Sequence, residues 1–308
     1  METIDQTAAF TELDSKLKTV LPEEYQECYE NVQPVSMGSA GLKFDAAGRV
    51  AWDQIWGSFC DLAMAGGPPH RGTLLEPASP AQIDADPRQY KTVVDEICRG
   101  IRMVSEVAVG RSQEPGWVQI FCPPPGMAGW LARAISMENV SVYAEGEVVR
   151  LPAGPHYRLE KEIKNVVTSV AKTTHYYLGH IGFGQRRAIG EQFAKAEKVA
   201  PLLQTGIAGV AGDASLCRAL CEKASTAVAE ATGLRPGGAE YRGWLGIECT
   251  EVMDAIWMMR ALAVNNVVAR REETVLYVPI NPALDPAGHR VVNAVTEVRK
   301  LALARASK

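Results

Sequence analysis

The residues best suited to chemistry stand in one short run, Gly66-Gly67-Pro68-Pro69-His70-Arg71-Gly72-Thr73. Two glycines let the backbone come close to a ligand, and two prolines fix its path. Into that constrained loop the chain places His70, an acid or base near neutral pH. Arg71 follows, a side chain able to grip a carboxylate or phosphate with two parallel hydrogen bonds. We therefore expect His70 to be catalytic, and Arg71, Thr73, Gly66 and Gly67 to bind substrate. The plain alternative is a tight turn whose His and Arg are solvated.

Cys122 and Cys249 form a second candidate. Each closes an apolar strand just ahead of a helix, where the helix N-terminus can lower a thiol pKa. That chemistry would suit a nucleophile, a redox pair or metal ligands. A small buried packing residue is the competing reading, and Ile120 and Cys122 do share a strand face. A third candidate is Glu248, with Glu251 and Asp254 close behind. These acids stand 127 positions after Phe121, Pro124 and Met127. Glu248 would be a general base or part of a cation site. Acids at a helix start also simply stabilise it.

Other chemistries find no support. No glycine-rich turn carries Lys and Ser/Thr in phosphate-loop register, no GxGxxG follows a strand, and no Gly-x-Ser-x-Gly elbow occurs. No nucleotide or dinucleotide cofactor is assigned. Seven cysteines at irregular spacing with no CxxC argue against a disulfide framework and a structural zinc, and for a reducing compartment. His156, His175 and His180 lie on or beside one predicted helix, but five-residue spacing only loosely shares a face, so no metal site is assigned.

The totals describe a globular chain with a substantial core: 308 residues, 47% hydrophobic, 22% charged, net charge −4. There is no basic stripe for nucleic acid, and no apolar run near the ~20 residues that cross a bilayer. The N-terminus is polar and acidic, so no secretory signal is expected and a cytoplasmic protein is.

The elements that must carry these residues are repeated. Residues 116–152 and 243–279 align without a gap, 127 positions apart, with 13 of 37 pairs identical; chance would give about two or three. Shared residues include Trp117/Trp244, Cys122/Cys249, Trp130/Trp257, Arg133/Arg260, Asn139/Asn266 and Glu145/Glu272. The Asn residues suit helix C-caps, and the Arg residues suit pairing with the Glu residues. A more divergent third copy is read at 41–80. The expected fold is α+β: three tandem β-α-β-β-α units of about 65 residues, with a helical insertion before the last unit. The segments are a peripheral helical stretch at 1–40, unit one at 41–115, unit two at 116–181, the insertion at 182–240 and unit three at 241–308. Helices are expected at 51–64, 86–109, 127–138, 157–180, 185–199, 214–232, 252–263 and 288–304.

The functional expectation is a cytosolic enzyme of non-redox chemistry, a hydrolase or lyase, acting on a small anionic molecule at the seam between repeats. The alternative is a non-catalytic ligand-binding, regulatory or assembly protein. Apolar helix faces beside Trp130 and Trp257 lead to a homo-oligomer in either case.

Overall fold

The computed structural model describes residues 2–30, 41–55, 62–65, 67, 69–207 and 214–306. Its elements, in chain order, are α1 (Glu2–Val20), α2 (Pro80–Ala85), α3 (Pro87–Val104), β1 (Ala108–Arg111), β2 (Trp117–Phe121), α4 (Met127–Met137), β3 (Tyr143–Glu145), β4 (Val148–Pro152), α5 (Lys164–His175), α6 (Phe183–Val199), α7 (Ala214–Thr232), β5 (Arg235–Pro236), β6 (Trp244–Glu248), α8 (Val252–Val264), β7 (Arg270–Glu272), β8 (Val275–Pro279) and α9 (His289–Ala306). Mixed helix and antiparallel sheet make this an α+β chain. It divides into a continuous unit, Val32–Gly182, and a split unit, Met1–Asn31 with Phe183–Lys308. No helix among the described residues is long and apolar enough to cross a membrane.

In the continuous unit four antiparallel strands run in the order β1-β2-β4-β3. Helix α3 packs on β1, β2 and α5, and α4 packs on β3, β4 and α5. The stripe Val93, Ile97 and Ile101 is buried, as its three-to-four spacing requires. Gly100 permits the close approach of α3 to α5: a Cβ there would lie 2.7 Å from the Val167 side chain and 3.1 Å from the Trp52 ring. Trp52 is itself fully buried and donates its indole N–H to Glu96 at 2.8 Å.

The split unit has a sheet of the same strand order, β5-β6-β8-β7. Helix α7 packs on β5, β6 and α9, while α8 packs on β7, β8 and α9. From the N-terminal segment α1 packs on α6, α8 and α9. Its Leu13, Leu17 and Val20 are buried, and Phe10 stacks on Trp257 with ring centroids 6.3 Å apart.

Several expectations need correction. The helix expected at 86–109 ends at Val104, and the chain then enters the edge strand β1. Its start agrees, the Asp86 carboxylate capping α3 by accepting the Gln89 N–H at 3.0 Å, and the short helix α2, capped by Ser79, precedes it. The helix expected at 51–64 is, over its described part, two 3-10 turns, Trp52–Gln54 and Ala63–Ala65; residues 56–61, with Trp56, lie outside the described residues. The stretches 41–44 and 73–76, whose sequence reads as short strands, amount to single bridges, Phe44 with Val50 and Leu75 with Val140. Trp130 and Trp257 are buried inside their own units, so neither offers an apolar face to a second subunit. Glu145 and Glu272 pair with Arg150 at 3.2 Å and Arg270 at 2.7 Å, not with Arg133 and Arg260. Buried in their helices, those two donate to the carbonyls of Gly129 and Tyr29.

Asn139 and Asn266 do end α4 and α8, in the left-handed region at φ 57° and 64°. Each side-chain amide donates to a passing segment: Asn139 to Arg71 O at 2.9 Å, Asn266 to Ala200 O at 2.8 Å. Each backbone carbonyl accepts from the same segment, from Leu75 at 2.8 Å and Leu203 at 3.0 Å. Asn266→Gly should lose only the amide bond, while Asn266→Ala adds left-handed strain. Urea unfolding should place the Ala variant about 1 kcal/mol below the Gly variant; equal stabilities would mean the backbone conformation is not what selects Asn.

Candidate functional site

The site grows from the C-terminal end of α4. Glu138 follows the last helical residue and has no solvent exposure. A buried carboxylate must be paired and hydrogen-bonded to persist. Its Oε1 lies 2.7 Å from Lys172 Nζ on α5, itself 1% exposed, and accepts the Ala63 N–H at 3.2 Å. Its Oε2 accepts the His70 N–H at 2.9 Å. One carboxylate thus pins both ends of the glycine-proline loop and ties it to α5. Asn139, the next residue, holds the same loop at Arg71 O.

The His70 side chain is half-buried, and its Nε2 is shut off from solvent, with no hydrogen-bond partner among the described residues. Burial lowers its pKa, and the Lys172 and Lys164 ammonium groups lower it further against the opposing pull of Glu138. His70 is accordingly neutral near neutral pH, a proton acceptor facing two buried lysines. For Glu138, burial pushes upward, but the Lys172 ammonium, helped by the Ala63 N–H bond, outweighs it and leaves the carboxyl below its ordinary range. Ser169 Oγ, one helical turn before Lys172, is also buried with no partner among the described residues.

Arg71 takes a different anchor. Its Nη1 donates to Glu162 at 3.3 Å, and its Nε is buried with no partner among the described residues. Glu162 also accepts from the Arg158 guanidinium at 2.9 and 3.1 Å and from the Arg158 N–H at 2.9 Å. Burial raises its pKa, yet these bonds, led by Arg158, bring it down to about 2. Tyr157 beside this group donates to Glu76 O at 2.7 Å, fixing the chain just beyond the loop.

Of the residues expected from sequence, only part converges. His70 and Arg71 lie in the loop as expected, Gly67 is buried within it and Thr73 is exposed at its end; Gly66 lies outside the described residues. Cys122 is buried at the end of β2, its N–H donating to Glu147 O at 2.7 Å. It precedes α4, whereas Glu138 follows it, so the two stand at opposite ends of a helix roughly 16 Å long. Burial pushes the Cys122 thiol up to about 12, the reverse of the lowering expected at a helix start. Cys249 is likewise buried, and its thiol is also pushed up to about 12 by burial, with Asp254 adding to the rise. Glu248 is exposed and accepts from Thr274 Oγ1 at 2.6 Å; Asp254 faces Arg299 at 3.7 Å. Both belong to the split unit. Among the described residues no group of three or more His, Cys, Asp or Glu could hold a metal.

Sequence reading missed Glu138, Lys164, Lys172 and Ser169. A signal was there to be read: lysines at 164 and 172 stand eight apart, two turns of one helix, among Val166, Val167 and Val170. Comparison with family models, curated proteins and solved structures gives no match.

The ion pair has two expected outcomes. Lys172→Met leaves a buried carboxylate unpaired and should cost about 3–5 kcal/mol in urea unfolding, while Glu138→Gln combined with Lys172→Met should recover much of that loss. The depressed pKa values also set an acid limit. Glu138, lowered on folding, contributes stability above its unfolded value of about 4.3 that is lost as pH falls through its folded pKa. His70, also lowered, contributes stability above about 6.5 that is lost as pH falls from there towards its folded pKa. His70→Gln should therefore flatten the stability curve just below about pH 6.5, leaving the carboxylate limb at lower pH.

Proposed function

We propose that this chain is an enzyme of non-redox chemistry, a hydrolase or lyase, acting on a small anionic molecule bound beside His70 in the continuous unit. One observation carries the reading: an imidazole whose buried Nε2 has no partner among the described residues, held by its own backbone on a buried Glu–Lys pair. An unpartnered buried acceptor costs stability, which is tolerated where a proton has to be taken up. His70 serves as general base, and Lys164 and Lys172 supply the positive field that favours an anionic substrate and the charge developed as it reacts. Arg71, with its free Nε, orients a carboxylate or phosphate.

The two units also support a refined account of the repeat. Seven helices and strands of the continuous unit, α3 through α5, have counterparts α7 through α9 in the split unit, and five of those seven begin 127 residues apart. We read this as one duplication of a unit longer than 65 residues, in which α7 is the counterpart of α3 and not part of an insertion. At the positions of Glu138, Lys164 and Lys172 the second copy has Asn265, Val291 and Arg299. The reactive cluster is then a property of one copy, and Cys122 and Cys249 are matched packing residues.

The test begins with thermal shift of the full chain against inorganic phosphate and a series of small mono- and dicarboxylates, followed by assays of hydrolysis and elimination on esters and hydroxy acids of the compounds that bind. Arg71→Ala should weaken binding by about tenfold. His70→Gln should leave binding intact and lower turnover by about 10²–10⁴-fold. Binding lost in neither variant would place the ligand elsewhere; binding without turnover in the parent would favour a non-catalytic ligand-binding protein.

A further inference from the structure

In a regular α-helix, five-residue spacing leaves His175 and His180 about 140° out of alignment. The helix does not stay α. After α5 the chain forms a π turn, Tyr176–His180, closed by the Ile181 N–H to Tyr176 O bond at 3.1 Å, a five-residue step. That wider turn restores the alignment, and the two imidazole Nε2 atoms come to 3.1 Å. Both histidines are exposed. Tyr176, buried between them in sequence, packs its ring 5.9 Å from that of His175 and 5.0 Å from that of His180. Both rings thus rest against Tyr176.

We propose that His175 and His180 form a bidentate site for a divalent transition metal that favours imidazole, such as Zn²⁺, Ni²⁺ or Cu²⁺. Two imidazole nitrogens each about 2.05 Å from one ion lie about 3.3 Å apart at a tetrahedral angle and about 2.9 Å apart at a right angle. The observed 3.1 Å falls between these limits, so the ion can be chelated without moving either helix turn. Without metal, one Nε2–H donates to the lone pair of the other Nε2. On binding, the donor ring moves its proton to Nδ1, both Nε2 lone pairs go to the ion, and the pair's net proton count is unchanged. Water completes the coordination, since no third His, Cys, Asp or Glu joins the pair among the described residues. Metal on the π turn locks the end of the helix that carries Lys172, three residues before His175.

The test titrates the intact protein with Ni²⁺, chosen because thiolates compete for it less than for Zn²⁺. Calorimetry should find a site of one ion per chain, and the parent's melting temperature should rise with added metal. His175→Ala and His180→Ala should each weaken that site by roughly a hundredfold, the loss of a chelate's second contact, and remove the thermal shift. A readout on the unaltered protein guards against misfolded variants: of five histidines, the Cε1–H resonances of these two should broaden first with Ni²⁺, leaving those of His70, His156 and His289. Equal binding by both variants, broadening of other histidines first, or no binding by the parent at millimolar Ni²⁺ would overturn the proposal.

Discussion

A carboxylate with no exposure, set at the wrong end of a helix, is the constraint on which the continuous unit depends. The C-terminus of α4 presents carbonyl dipoles, so a negative charge there is unfavourable before burial is counted. Glu138 persists only because an ammonium and two backbone N–H groups meet it. Those groups come from distant parts of the sequence, the 63–70 loop and α5. Folding the carboxylate therefore obliges the loop to close over the helix end, and the position of His70 is a consequence of satisfying Glu138.

The split unit reaches the same local backbone without that charge. Asn265 stands where Glu138 would, and Asn266 caps α8 and holds Ala200 as Asn139 holds Arg71. Leu203 bridges to Val267 as Leu75 bridges to Val140. The scaffold can be built with neutral groups, so the buried pair is not a requirement of the topology. Replacing such pairs by apolar residues is often neutral or stabilising. Its retention beside an unpartnered imidazole is better understood as positioning than as stabilisation.

Local regularity was the legible part. Strands 117–121 and 244–248 and helix 214–232 match the sequence reading, because their apolar spacing and glycine or proline borders agree with one another. The Asn caps were legible for the same reason. What sequence concealed was set by distant partners. Arg133 and Arg260 looked like partners for Glu145 and Glu272, but hairpin arginines took those roles: Arg150, across the hairpin from Glu145, lies opposite Tyr143, and Arg270, on the same strand as Glu272, lies opposite Tyr277. Arginine and tyrosine have exchanged strands between the hairpins while the contact is kept, the guanidinium 5.6 Å from the Tyr143 ring in one and 4.0 Å from the Tyr277 ring in the other. Aligning columns of the sequence hides an exchange that strand pairing makes plain.

The stretch 157–180 shows the same limit in a helix. Read at 3.6 residues per turn it is one continuous element. In fact π turns at Leu159–Ile163 and Tyr176–His180 bracket the α-helical part, and each adds a residue that rotates the succeeding side chains by about 100°. Glu162 lies before the first rotation is complete and faces Arg71 and Arg158; Lys164 and Lys172 lie between the two and bear on His70; His180 closes the second and meets His175. A single periodicity holds for the apolar residues Ile163, Val166, Val167, Val170 and Tyr177, all buried, but it cannot describe the three directions these ionisable groups take. Wider turns interrupt helices where side chains need a direction that regular spacing denies them, and here both interruptions fall next to ionisable groups.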